Sequence, residues 1–154
     1  MSFTGKPQTF LDTTLQNDGF FPDISLGEFQ EFYRVPAEYK QELVEHHTRQ
    51  AMDDCNEQLL VKKAEWIEQS FLTLESVSDK ELGGKNVKIE QYKRAVYNRA
   101  MGLMVLAFAT LNRRAEAENL AKESDDTFQH FMAESSRSIR RLLGVTENIS
   151  VMLL

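Results

Sequence analysis

The longest apolar pattern in the chain runs from Ile89 to Leu111, IEQYKRAVYNRAMGLMVLAFATL. Ile89, Tyr92, Val96, Ala100, Leu103, Ala107 and Leu111 recur at three- and four-residue steps, the spacing of one helix face. After Ala100 the other faces fill too, with Met101, Met104, Val105, Leu106 and Phe108. A helix apolar all round must be buried on several sides. It is either the central helix of one domain or a helix that packs one side at home and offers the other to a neighbouring subunit. The run from Ala100 to Leu111 is about 12 residues, short of the ~20 a bilayer requires, so no membrane contact is expected.

The flanking patterns predict the other elements. Residues 1–24 show no sustained period and read as an extended arm, with a turn at Asn17-Asp18-Gly19 where Gly19 takes positive φ. Phe20 and Phe21 are too apolar for water, so the arm lies on its own domain or on a partner subunit. Ser25-Leu26-Gly27-Glu28 is a capping-box pattern that opens a short helix, which stops near Arg34 ahead of Pro36. Pro36 suits the first turn of a long second helix. Val44, His47, Ala51, Cys55, Leu59 and Trp66 form one stripe on it, and Leu60, Ala64, Ile67 and Phe71 form a second, shifted by one residue. A bend or register shift near Leu59 to Lys63 is the expected consequence. Phe71 to Asn86 reads as a long loop.

After the central helix, a final helix of about 30 residues (about 45 Å) begins near Arg113 or Arg114. Its seam is Ala117, Ala121, Ser124, Phe128, Phe131, Ser135, Ile139 and Leu142, with Ser124 and Ser135 small enough for close helix approach. Gly144 ends it as a C′ residue. Ile149, Val151 and Leu153 then alternate as a short strand with no obvious partner in the chain, a pattern that suits pairing with another chain, an intrachain hairpin or a disordered tail. The expected fold class is all-α: an antiparallel helical bundle with long second, third and fourth helices, an extended N-terminal arm and a short C-terminal strand. The parts are residues 1–24 (arm), 25–144 (helical domain) and 145–154 (tail).

Composition narrows the function. A formal charge of −6 argues against a general nucleic-acid binder, which needs a basic face. The single cysteine, Cys55, permits no internal disulfide, and no signal peptide is evident at the N-terminus. No Glu is followed by His three residues later, as carboxylate-bridged metal bundles require. Gly83-Gly84-Lys85-Asn86 lacks the upstream glycine and the Ser/Thr of a phosphate loop. Catalytic, cofactor and metal residues are therefore not expected. Two basic clusters remain, Arg113-Arg114 and the stripe Arg137, Arg140, Arg141. They complement helix ends and surface acids, or they contact DNA or an acidic partner. On residues alone the chain could also be a soluble bacterial helical-bundle regulator or cofactor-binding protein.

Four motifs in order, NDGFFPDISL (Asn17 to Leu26), RAVYNRA (Arg94 to Ala100), AENLAKES (Ala117 to Ser124) and SRSIRRLLG (Ser136 to Gly144), with the closing apolar strand, resemble the GpL head completion proteins of contractile-tailed temperate phages. In that family a lysine often follows RAVYxRA, where this chain has Met101. The resemblance implies a virion protein of the neck, at the head-tail junction, that completes and stabilises the DNA-filled head. The implied partners are the portal protein, neighbouring copies in a ring (about twelve if it follows the portal) and a tail terminator or tail completion protein, with packaged double-stranded DNA passing through the lumen. The residues expected to make protein contacts are Phe20, Phe21, Met101, Met104, Val105, Phe108, Ile149, Val151 and Leu153.

Overall fold

The computed structural model describes residues 13–36, 39–111 and 117–145, and for the helical residues 110–111 and 117–124 the backbone alone. The described chain is mostly helical, with two small antiparallel hairpins. Strands β1 (Thr14–Leu15) and β2 (Ile24–Ser25) pair with Leu15 opposite Ile24. They close the loop that carries Asn17 to Asp23, so this part of the arm is a folded hairpin.

Helix α1 (Leu26–Tyr33) follows at once. The Ser25 hydroxyl accepts the Glu28 N–H at 3.2 Å, as the capping pattern predicts. The other half of the box is spent elsewhere: the Glu28 carboxylate pairs with Lys93 at 3.2 Å. Arg34, at φ 47°, ends the helix where expected.

Helix α2 (Gln41–Gln58) starts later than the proline suggested. Between the helices the chain makes a turn, with the Tyr39 N–H donating to the Pro36 carbonyl at 3.1 Å, and that turn buries Val35 and Tyr39. The expected break falls at Leu59, and α3 (Leu60–Glu68) continues from it. Burial does not shift with the second stripe. Leu59 and Trp66 stay inside, while Leu60, Val61 and Ile67 are 54%, 73% and 50% exposed.

The segment 71–86 is more ordered than a plain loop. It holds a 3-10 turn (Glu75–Val77) and a hairpin of β3 (Glu81–Leu82) and β4 (Lys85–Asn86). Gly83 and Gly84 form its two-residue turn at φ 58° and 77°, the left-handed geometry that tight hairpins demand. Asn86 then does two jobs. Its Nδ2 donates to the carbonyls of Glu75 and Ser78, and its Oδ1 accepts the N–H groups of Lys88 and Ile89 at the start of the next helix.

That helix, α4 (Val87–Leu111), lies between α2 and α5 (Ala117–Leu143). The pairs Arg99–Asp54 (2.7 Å) and Tyr92–Asn56 set α4 antiparallel to α2. The Ser135 hydroxyl on the Ala95 carbonyl (2.8 Å) and the approach of Phe128 to Gly102 set it antiparallel to α5, and Arg94 pairs with Glu134 at 2.9 Å. Ser135 is fully buried on the seam, as expected, with Ile139 and Leu142. The tightest approach comes from Gly102: a Cβ there would stand 3.2 Å from Met132 Sδ and 3.5 Å from Phe128. Gly144, at φ 74°, closes α5, with the Gly144 N–H on the Arg141 carbonyl and the Val145 N–H on the Arg140 carbonyl. The strand expected at Ile149, Val151 and Leu153 lies outside the described residues, as does the start of the final helix at Arg113 and Arg114.

Candidate functional site: partner-facing surfaces

The hairpin loop 17–23 is locked to α2, α3 and α4. Asn17 Nδ2 donates to the Tyr92 hydroxyl (2.8 Å), that hydroxyl donates to Asn56 Oδ1 (2.6 Å), and Asn56 Nδ2 donates back to Asn17 Oδ1 (2.9 Å). The triangle satisfies three polar side chains among apolar neighbours, where an unpaired group would be costly. Asp18 Oδ1 accepts the N–H groups of Phe20 and Phe21, and its Oδ2 pairs with Lys63 of α3 at 2.8 Å. Phe20 stacks on Trp66, and Phe21 stacks on Tyr92 with centroids 4.8 Å apart. Phe20 and Phe21 are thus buried against their own domain, and their rings are not a partner-facing surface.

The Asp18 carboxyl shows the balance of forces. Burial pushes its pKa up, but the Lys63 ammonium and the two N–H groups outweigh that, and it sits below the usual carboxylate range. A carboxyl held low in the fold contributes stability that is present above its unfolded pKa, near 4, and is lost as pH falls through the folded value. Asp18→Asn is therefore expected to flatten the pH dependence of the thermal midpoint below about pH 4. An equally steep decline in the variant would show that the loop does not hold this charge.

On α4, Met101 and Met104 are also buried, at 7% and 0% exposure. Met101 takes an inward position, so an apolar side chain suits it. Val105 is half-buried, Leu106 is 46% exposed, and Phe108 is 39% exposed with its ring edge-on to Tyr39. The second apolar surface thus reduces to Val105 and Phe108, one turn apart, with Leu106 exposed on another face of the helix. The apolar face that the sequence pattern assigned to burial, Leu60, Ala64 and Ile67 on α3, faces solvent together with Leu72 at 82%. Its signal was the second stripe, one step out of register with the first. α3 continues from α2 past Asn56, which meets Tyr92, and Phe108 lies 16 residues further along α4, about 24 Å along the axis. The two patches therefore sit at opposite ends of the central helix.

Among the basic candidates, Arg137 pairs with Glu134, and Arg141 lines a notch with Lys80 and Lys85. A wider open cleft of about 770 Å³ between α1, α4 and α5 is lined by Glu28, Lys93, Arg94, Tyr97 and Glu134. Its charges are mutually paired, and Tyr33 accepts a hydrogen bond from Asn98. Cys55 is fully enclosed, and burial pushes its thiol up to about 12, so it stays protonated at neutral pH. Among the described residues no three His, Cys, Asp or Glu side chains converge as a metal site, and no helix is long and apolar enough to cross a membrane. What the described residues offer is a set of contact surfaces.

Comparison with known proteins bears directly on what those surfaces serve. Residues 15–153 match the family model of the phage head completion protein (GPL). The chain is similar to the probable head completion/stabilization protein of Haemophilus phage HP1 (strain HP1c1), with 26% identity over 142 residues, 92% of this chain and 93% of that protein. It is also similar to the head completion/stabilization protein of Escherichia phage P2, with 21% identity over 133 residues, 86% of this chain and 79% of that protein. No solved structure matches it. The match spans nearly the whole chain and takes in all four ordered motifs, and the chain belongs to the phage head completion protein (GPL) family.

Proposed function

We propose that this protein completes the phage head as an adaptor at the portal vertex, where it stabilises the packaged DNA and presents a docking surface to the tail. The observation that carries this reading is the pair of apolar patches at opposite ends of α4, one on α3 and one at Val105 and Phe108. A head-to-tail ring needs two different patches on each subunit, because each copy meets its neighbours through unlike faces. One self-complementary patch would suit a two-fold dimer instead. The formal charge of −6 suits a channel for duplex DNA, since a basic lumen would hold phosphates and slow their passage. In this reading the alternating apolar residues Ile149, Val151 and Leu153 pair with the portal or an adjacent subunit.

Deleting residues 149–154 is expected to abolish binding to portal-bearing heads in cosedimentation while leaving the circular dichroism of the helices unchanged. Full binding by the truncated protein would remove the C-terminal segment from the interface. Heads assembled without the protein should leak DNA and lack tails in electron micrographs. Intact, tailed particles in its absence would overturn the functional reading, and an isolated dimer indifferent to portal would favour a regulatory role.

A further inference from the structure

We propose that the notch between the β3–β4 hairpin, α4 and the end of α5 receives an acidic segment of a partner protein. This rests on the head-completion reading and goes beyond it by naming the partner's chemistry. The notch encloses about 430 Å³. Lys80 and Lys85 reach it from the hairpin, and Arg141 reaches it from the last turn of α5. Lys80 and Arg141 have no ion-pair partner among the described residues, and the Lys85 ammonium lies over the Phe32 ring at 5.5 Å. The two other charges on its wall are engaged: Arg94 holds Glu134 at 2.9 Å, and Glu90 faces Lys93 at 3.9 Å. Three cations without an ion-pair partner among the described residues stand out on a chain with a net charge of −6, and an incoming anion would supply the missing counter-charge.

The apolar part of the wall selects a peptide over a nucleic-acid backbone. Leu82, 67% exposed, and Val87 form apolar walls that would cover an aliphatic side chain between two carboxylates. Charge complementarity of this kind sets the register of a docked segment and speeds its capture.

The test places a benzophenone amino acid at Leu82 of the full-length protein, which is then mixed with purified portal-bearing heads lacking the protein and with added duplex DNA, irradiated and mapped by mass spectrometry. The expected adduct joins Leu82's position to an Asp/Glu-rich segment of a head or tail protein. Lys80→Glu with Arg141→Glu should reduce that adduct at least tenfold at an unchanged melt. Lys80→Gln with Arg141→Gln, which adds no new charge, serves if the reversal impairs folding. An adduct to DNA, to residues 146–154 of the same chain or to a neutral or basic segment overturns the proposal, as does an adduct that survives both charge variants. Cosedimentation of the unmodified protein reads the parent proposal separately. Binding without an acidic adduct overturns the notch alone, and no binding overturns both.

Discussion

Phe21→Ala is expected to destabilise the fold by ~3–5 kcal/mol, the range for removing a buried aromatic from a packed core. For a chain of this size that lowers the thermal midpoint by roughly 10 °C. The cost has two sources. The ring is 3% exposed and stacks on Tyr92 at 4.8 Å, so its removal leaves a cavity beneath the hairpin loop. The Asn17–Tyr92–Asn56 triangle sits beside that cavity, and water entering it would compete for all three side chains. Leu72→Ala is the control: at 82% exposure it should change the midpoint by no more than about 1–2 °C. Equal effects from the two variants, measured by thermal melts, would mean that the hairpin loop does not anchor the domain.

The second large effect is functional. Leu60→Glu with Ile67→Glu should leave the melt almost unchanged, because both side chains already face solvent. Yield of infectious particles, measured by complementing a phage that lacks this protein, is expected to fall by at least ~100-fold. Burying two carboxylates without partners in a subunit contact costs several kcal/mol, and a ring repeats that cost at each interface. A yield within a factor of two of the wild type would show that the α3 stripe touches no partner and would leave the patch at Phe108, the basic notch and the C-terminal segment for assembly.

The stripe also explains where sequence reasoning stopped. Leu60, Ala64 and Ile67 have the spacing of a buried face, and periodicity alone cannot separate a face buried in its own domain from one reserved for another chain. The same ambiguity ran the other way at Phe20, Phe21, Met101 and Met104. All four are apolar enough for an interface, and all four are consumed inside the chain. Gly102 gave no local signal for its role, since its lack of a side chain matters only because Phe128 and Met132 approach from α5. The β3–β4 hairpin reads in the sequence as part of a long loop, although Gly83-Gly84 between Glu81-Leu82 and Lys85-Asn86 is a two-residue turn signal. The β1–β2 pair was not legible, because strands of two residues carry no period.

What the sequence by itself determined is the set of features that depend on near neighbours. The cap at Ser25, the stop at Arg34, the break at Leu59, the central and final helices and the glycine closure at Gly144 are all local, set by backbone sterics and by side chains within one or two turns. Its four ordered motifs also pointed to the family. Only the tertiary structure decided which apolar residues are spent on the core and which are left over, because burial depends on what arrives from distant parts of the chain. Asn17, Asn56 and Tyr92 lie far apart in sequence and meet in one triangle. Lys80, Lys85 and Arg141 likewise become a single basic notch only when α5 folds back along α4 to the hairpin.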